Sequence, residues 1–303
     1  MANWKNILEE LNANGSNFDI IRRSYLKKLS KLTGRNVIAY YSGWLQKNAP
    51  DLRFSLSIND NDKNGFMNAL AGVNCSKGLD LVLHTPGGDV AATESIIDYL
   101  KSKFEDIRVI VPQLAMSGGT MIACCASRII MGKHSSLGPI DPQIGGLPAH
   151  GVVEEFLRAY EEIKADPVKQ AVWAPIIQKY HPTFIGECEK AIEWSQKIAE
   201  NCLRDRMFKG QADANEKVKK IIDELTDHSI SLSHSRHLSF KKCSELGFMV
   251  DDLESDSKLQ DAVLSVHHSF IHTLTSTPAI KIIENHNGVA FIQSVPQYLM
   301  NRN

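Results

Sequence analysis

Apolar runs and amphipathic stretches alternate through the first half of the chain. The runs NVIAYYSG at 36–43, LDLVLHT at 79–85, IRVIVP at 107–112 and RIIMG at 128–132 have the apolar, β-branched character of buried strands. Between them, residues 90–104 place their apolar side chains on one helical face, and residues 117–126 form a second helix-like stretch. This alternation at short spacing predicts a parallel sheet with right-handed crossovers, and therefore an α/β fold.

The remaining segments are mainly helical in pattern. A charged amphipathic segment at 4–32 precedes the first strand, and a Pro/Gly-rich loop follows the last one at 135–148. Helical periodicity then covers 151–164, 167–180, 186–208 and 211–225, and the stretch SFKKCSELG ends in a glycine typical of a helix C-terminus. Near the end of the chain, two β-like runs flank Asn287 and Gly288, which predicts a hairpin.

Composition and charge narrow the class of protein. A chain of 303 residues can bury a large core. A net charge of −1 and a pI of about 6.8 give no electrostatic footprint for nucleic acid or anionic lipid. No stretch reaches the roughly 20 apolar residues of a membrane span. The sequence therefore predicts a cytoplasmic protein that has no membrane span and binds no nucleic acid.

The cysteines and the metal-binding residue types show no recognisable site pattern. None of the six cysteines forms a CxxC pair, and Cys124 and Cys125 lie inside an apolar helix start. We therefore expect neither a disulfide framework nor a zinc site, as in a reducing cytosol. No cluster has metal-ligand spacing and no GxxxxGK[ST] loop is present, so we expect no cofactor and expect any ATPase partner to be a separate chain.

Two glycine-bearing segments, LHTPGGD at 83–89 and AMSGGT at 115–120, are the strongest chemical signal. Each follows a strand-like run and precedes a helix-like stretch, so their backbone N–H groups can gather around one point, beside Ser117. A nucleophile next to N–H donors is what acyl transfer requires. Taken singly, Ser117 is also an acceptable helix N-cap, HTPGG an ordinary turn, and His84 a buried strand histidine. The pair on successive strand ends is much more specific.

The order TPGG, AMSGGT, LGPIDPQ resembles the Clp/crotonase superfamily, whose peptidase branch includes Clp-type peptidases and signal peptide peptidase A. More closely, residues 35–255 resemble the serine-dehydrogenase-proteinase family. The resemblance implies an α/β fold built as a Clp/crotonase-like spiral of βαβ units. It also implies a serine peptidase that acts on peptides or proteins and forms homo-oligomers. A helical segment at 1–34 and a C-terminal helix and hairpin at 256–303 lie outside this region.

The resemblance also implies an active site with the chain order Ser, Asp, His. The nucleophile is then Ser117 in AMSGGT, the acid Asp141 in GPIDPQ, and the base His234 in SHSRHLS, ahead of KKCSELGF. The family segment typically reads T-H-D-Y-P-I-T, so this chain keeps the histidine and departs in the next three residues, which makes His237 the rival base. An aspartate before a proline is also a common turn start, which is the structural alternative for Asp141.

Backbone N–H groups complete the expected machinery. On the same resemblance, Gly88 or Gly87 in the first segment and Gly118 in the second would donate to the oxyanion. Glycine at these positions lets the chain turn sharply and leaves space for a substrate carbonyl. Loss of one oxyanion donor typically costs about 3 to 4 kcal/mol of transition-state stabilisation.

Three other hypotheses remain open from the sequence. A Ser–Lys dyad, as in signal peptide peptidase A, would use Lys190 or Lys197 from the helix at 186–208, provided burial lowers the lysine pKa. An acyl-CoA enzyme of the crotonase type would use the same two turns to bind an enolate. Such enzymes usually carry a glutamate in this region, and residues 107–153 contain none. A catalytically inert scaffold with an unreactive Ser117 is the third.

Overall fold

The computed structural model describes residues 4–15, 17–47, 49–226 and 236–296. The strands are β1 (Asn36–Ser42), β2 (Leu79–His84), β3 (Ile107–Val111), β4 (Leu114–Ala115), β5 (Arg128–Met131), β6 (Ser136–Leu137), β7 (Gln143–Ile144), β8 (Leu147–Pro148), β9 (Leu238–Ser239), β10 (Val250–Asp252), β11 (Ala279–Asn285) and β12 (Ala290–Ser294). The main sheet has seven strands in the order β10-β5-β3-β2-β1-β11-β12. Its pairs from β10 to β1 are parallel, and β11 and β12 are antiparallel to their neighbours.

Helices cover both faces of this sheet. They are α1 (Trp4–Ala13), α2 (Phe18–Thr33), α3 (Arg53–Leu56), α4 (Asn61–Ala69), α5 (Val90–Lys103), α6 (Gly118–Cys124), α7 (Ala149–Ala165), α8 (Gln170–Ile177), α9 (Phe184–Cys202), α10 (Ala214–Thr226), α11 (Phe240–Leu246) and α12 (Ser257–Ser276). One core lies between the sheet and α1, α2 and α12, and the other lies under α4, α5, α6, α9 and α10. No helix of the described residues is long and apolar enough to cross a membrane.

Burial on both faces explains why the strands of the main sheet are mostly apolar. Along β1, Val37, Ala39 and Tyr41 enter one core, and Ile38 and Tyr40 enter the other. A parallel sheet with helices on both sides has no solvent face, so its strands show no polar alternation. The predicted α/β fold is confirmed by this arrangement.

The ends of the chain refine the sequence-based prediction. The segment predicted as one helical stretch at 4–32 is two helices, α1 and α2, and Gly15 between them has a φ of +66°. The predicted hairpin is present: β11 and β12 are antiparallel, and the N–H of Gly288 donates to the carbonyl of Asn285 at 3.0 Å. Since β11 also pairs with β1, this hairpin extends the main sheet.

A disulfide joins two helices of the second core. Cys125 caps the C-terminus of α6, and Cys202 is the last residue of α9. The expectation that the chain forms no disulfide is wrong at this pair. The two cysteines are 77 residues apart in sequence, and their proximity arises from the packing of α6 against α9, which spacing along the chain does not show.

Buried histidines lie behind the end of β2. His84 is fully buried, with its ring 4.3 Å from that of Trp44 and 5.4 Å from that of His267, measured between centroids. Burial lowers the pKa of His84 to about 3, and it lowers the pKa of His267 well below its ordinary value. The interpretation of His84 as a buried strand histidine is confirmed.

This burial predicts acid destabilisation. The unfolded chain binds a proton at His84 near pH 6.5, whereas the folded chain resists it down to about pH 3. Stability is therefore full above about pH 6.5 and falls below it, by about 2 kcal/mol from this residue alone between pH 6.5 and pH 5. Urea unfolding at pH 7.5 and pH 5, at fixed protein concentration, measures this loss. We expect His84→Phe to reduce it and His237→Phe, at an exposed histidine, to leave it unchanged. Equal losses in wild type and His84→Phe would contradict the assignment.

Candidate active site

The two glycine-bearing segments lie side by side at the ends of neighbouring strands. The N–H of Thr85 donates to the carbonyl of Leu114 at 3.1 Å, and the N–H of Met116 donates to the carbonyl of Thr85 at 3.0 Å. These bonds form a short parallel bridge between Thr85 and Ala115. The turn after β2 is therefore fixed against the turn that carries Ser117.

Ser117 occupies a strained position between β4 and α6. Its φ is +50° and its ψ −111°, and it is the only non-glycine residue with positive φ among those the structure describes. Such a conformation costs on the order of 1 to 3 kcal/mol, so the surrounding contacts must enforce it. The side chain makes no capping hydrogen bond to α6. The geometry therefore does not fit the N-cap alternative.

Close packing between the turns requires glycine in the first of them. A Cβ on Gly87, whose φ is +90°, would lie 2.6 Å from the carbonyl oxygen of Met116 and 2.8 Å from the N of Gly118. A Cβ on Gly88 would lie 2.3 Å from both the N and the O of Ile58. Any larger residue would therefore push the first turn away from Ser117 or away from Ile58.

Ile58 sets the direction of the Gly88 N–H. Its own N–H donates to the carbonyl of Gly87 at 2.8 Å, and its carbonyl accepts from the N–H of Asp89 at 2.9 Å. The described residues contain no cis peptide bond, and in a trans peptide the C=O and the N–H point in opposite directions. The Gly88 N–H therefore points away from Ile58, on the side where Gly118 lies. Among the hydrogen bonds of the described residues, neither Gly88 nor Gly118 donates its N–H.

Ser117 lines a cavity of about 650 Å³. Gly87, Gly88 and Asp141 line the same cavity. Its apolar wall is formed by Phe54, Ile58, Val90, Met121, Ile140, Ile144, Ala191 and Trp194. A cavity of this size, with mostly apolar walls and a few polar groups, is typical of a ligand-binding or active site.

Asp141 is held in the wall of the cavity by its own loop. The residue is 5% exposed, and its Oδ1 lies 3.5 Å from the backbone N of His150. The preceding residue, Ile140, donates its N–H to the carbonyl of Leu225 at 2.8 Å, which anchors the loop to α10. The hydroxyl of Thr120 in α6 donates to the carbonyl of Gly138 at 2.8 Å. The loop is thus fixed to α6, the helix that directly follows Ser117.

The candidate bases in the described residues do not line the cavity that contains Ser117. Lys190 and Lys197 are exposed on α9 and do not line the cavity, and Lys197 pairs with Glu193. His237 is exposed and also lies away from the cavity lining. His234 lies outside the described residues. No group of histidine, cysteine and acidic side chains in the described part of the chain is arranged to hold a metal ion.

Sequence reasoning missed the segment that supports the first turn. No sequence pattern singles out residues 57 and 58, yet Ile58 is buried and bonded to the residues on both sides of Gly88. It also missed Trp194, whose Nε1 donates to Glu94 at 3.0 Å at the edge of the cavity. The bridge between Ile58 and Gly88 is isolated and involves one residue from each segment. It therefore produces no periodic pattern in the sequence that could identify Ile58.

Two relatives are similar in sequence to part of this chain. MJ1495 and MJ0137, two uncharacterized proteins of Methanocaldococcus jannaschii, are each 34% identical to it, over 173 and 198 residues. These matches cover 57% and 65% of this chain and 52% and 60% of the relatives, so the chain spans about half to three-fifths of their length.

A solved structure and a family model complete the comparison. A mutant of the 1510-N membrane-bound stomatin-specific protease matches with a TM-score of 0.37 and 16% identity, over 64% of this chain and 74% of that one. The model of the family described as ClpP-like SDH-type serine proteinase matches residues 17–258, which is most of the chain and includes both glycine-bearing turns. The protein belongs to the ClpP-like SDH-type serine proteinases, and its α/β fold is Clp-like.

Proposed function

We propose that this protein is a serine peptidase in which Ser117 attacks a peptide carbonyl and forms an acyl-enzyme. The observation that carries the proposal is the conformation of Ser117, which is held at positive φ beside Gly88 in the wall of one cavity. Strained backbone at a hydroxyl that makes no structural bond is typical of a nucleophile. Membership of a serine proteinase family supports the same conclusion.

The Gly88 and Gly118 N–H groups are the proposed oxyanion donors. Attack converts the substrate carbonyl oxygen into an anion, and fixed N–H donors stabilise that charge without reorganising. Gly88 is oriented by its neighbour Ile58, and Gly118 directly follows the nucleophile. A Cβ on Gly118 would lie 3.4 Å from the N of Gly88, so the two residues are direct neighbours across the turns, which supports a shared role.

His234 and Asp141 are the proposed base and acid. The imidazole takes the Ser117 proton as the C–O bond forms and returns it to the leaving amine as the C–N bond breaks, and Asp141 stabilises the imidazolium. The support is positional: Leu238 pairs with Leu137 across β9 and β6, and Asp141 follows Leu137 in the same loop. His234 precedes Leu238 by four residues in sequence.

A fluorophosphonate probe tests the proposal directly. We expect the probe to label Ser117 covalently, and the labelling rate to rise across about pH 6 to 7, because an imidazole base must be neutral to accept the proton. Mass spectrometry of the labelled peptide identifies the site, and the labelling rate measured from pH 5 to pH 10 gives the profile.

A matched control for the labelling experiment is Ser195→Ala. Ser195 lines the same cavity, but it donates its hydroxyl to the carbonyl of Ile192. The Ser195→Ala variant should be labelled like wild type.

The pH profile of the labelling rate also separates the competing hypotheses. A labelling rate that rises only above about pH 8 would indicate a lysine base. An absence of labelling at every pH would favour the inert scaffold.

A further inference from the structure

A buried ion pair is bonded to Ser57, a residue that lines the active-site cavity. Lys281 of β11 and Asp62 of α4 are both fully buried. The Lys281 Nζ donates to Asp62 Oδ1 at 2.8 Å and Oδ2 at 2.9 Å. Its third hydrogen bond, at 2.7 Å, goes to the main-chain carbonyl of Ser57. Burial lowers the pKa of Lys281, and the Asp62 carboxylate opposes that shift.

The Ser57 carbonyl begins a series of peptide groups that leads to the active site. That carbonyl belongs to the same peptide unit as the N–H of Ile58. The Ile58 N–H donates to the carbonyl of Gly87 at 2.8 Å, and this carbonyl belongs to the same peptide unit as the N–H of Gly88. The order is thus ammonium, peptide 57–58, peptide 87–88, and then the N–H that faces the cavity.

We propose that Lys281 is a positioning residue that orients and polarises the Gly88 N–H through these two peptide groups. A cation at a carbonyl draws electron density along its peptide unit and makes the N–H at the other end a stronger donor. The next peptide in the series is affected in the same way. Lys281 never touches substrate, and its catalytic consequence rests on the proposed role of Gly88 as an oxyanion donor.

Asp62 fixes the start of this series of two hydrogen-bonded peptide groups, which we call the relay. Its Oδ2 also accepts from the Tyr40 hydroxyl at 2.9 Å and from the N–H of Asn59 at 3.0 Å. The carboxylate therefore holds both the lysine and the segment whose carbonyl the lysine binds. A buried pair bonded only to side chains would have no such connection to the site, which makes the contact with Ser57 the decisive feature.

The chain offers a matched control in the same strand. Glu284 of β11 is fully buried and forms ion pairs with Arg22 and Arg23 of α2, in which the Arg23 Nε lies 2.8 Å from Glu284 Oε1. Glu284 and its two arginine partners are not among the residues that line the cavity. Glu284→Gln therefore reports the general effect of losing a buried ion pair from β11.

The first readout is independent of activity. Labelling with glycine that carries ¹³C at the carbonyl and ¹⁵N at the amide selects the amides of glycines preceded by glycine, which are Gly88, Gly119 and Gly146. In Lys281→Met we expect the Gly88 amide proton to move upfield, because its N–H is less polarised, and the Gly146 proton to stay in place. In Lys281→Arg, which retains a cationic donor, the Gly88 amide proton shift should lie closer to the wild-type value. In Glu284→Gln it should equal the wild-type value. Where Lys281→Met does not fold, Lys281→Gln replaces it.

The second readout is kinetic. We expect Lys281→Met to lower kcat about tenfold while KM stays within about twofold, since a weakened oxyanion donor acts in the transition state. An unmoved Gly88 proton, or a kcat equal to that of Glu284→Gln, would overturn the relay. A wild-type protein that neither hydrolyses peptides nor reacts with fluorophosphonate would refute the proposed function instead, and the Gly88 resonance would still decide whether the relay exists.

Discussion

Ser117→Ala is expected to lower kcat for peptide hydrolysis by about 10⁴-fold or more, because it removes the atom that bonds to the substrate carbonyl. The Ser117 hydroxyl makes no capping bond to α6, so we expect the free energy of unfolding to change by at most about 1 kcal/mol. A peptide substrate that the wild type cleaves gives kcat, and urea unfolding gives the stability.

The matched control for this substitution is Ser195→Ala. It removes a hydroxyl from the same cavity but one that is bonded to its own helix, so activity should stay within a few-fold of wild type. Hydrolysis by purified Ser117→Ala at the wild-type rate, after contaminating peptidases have been excluded, would show that Ser117 is not the nucleophile.

The sequence predicts the sheet and its helices well because both faces of the sheet are buried. Mostly apolar runs such as β2 and β3, each followed by an amphipathic or glycine-rich stretch, have few other stable arrangements. The same logic locates the chemistry, since side chains at the ends of adjacent parallel strands meet at one edge. The sequence alone therefore predicts that Ser117 and Gly88 lie close together.

Other features depend on tertiary packing and leave no local pattern. Ser117 is at positive φ next to Met116, whose N–H donates to the carbonyl of Thr85, and serine itself has no preference for positive φ. The disulfide joins Cys125 to Cys202 across a helix interface. For Lys281 the strand AIKIIEN gives a weak signal, since a lysine that is flanked by isoleucines in a buried strand requires a buried partner. The identity of that partner, more than 200 residues away, could not be inferred.

The roles of the catalytic residues also cannot be assigned from the sequence alone. A motif identifies candidate residues, and the geometry of the site decides which role each of them can take. Asp141 lies in the cavity wall on a loop tied to α6, which agrees with an orienting acid. A turn-starting aspartate would need no burial, and this one is 5% exposed. The choice of base remains a prediction, which substitution can decide.

Asp141→Asn and His234→Ala are each expected to lower kcat by about 10⁴-fold, because base, acid and nucleophile act as one unit. Asp141→Asn keeps the shape of the side chain and removes only the charge that stabilises the imidazolium, so it isolates that role. His237→Ala, Lys190→Ala and Lys197→Ala should retain activity close to wild type, since all three side chains are exposed and none lines the cavity. The kcat of each variant, measured with its thermal midpoint, checks the set.

The outcome pattern identifies the base in each case. If His237→Ala is inactive and His234→Ala is active, the departure from the family segment after His234 has transferred the role to its neighbour. If a lysine variant alone loses activity, the Ser–Lys dyad replaces the triad, and Asp141→Asn should then remain active because a neutral lysine amine needs no orienting carboxylate to act as the base. Loss of activity in both Asp141→Asn and His234→Ala, with folding intact and with the control variants active, is the single pattern that the Ser–Asp–His assignment predicts.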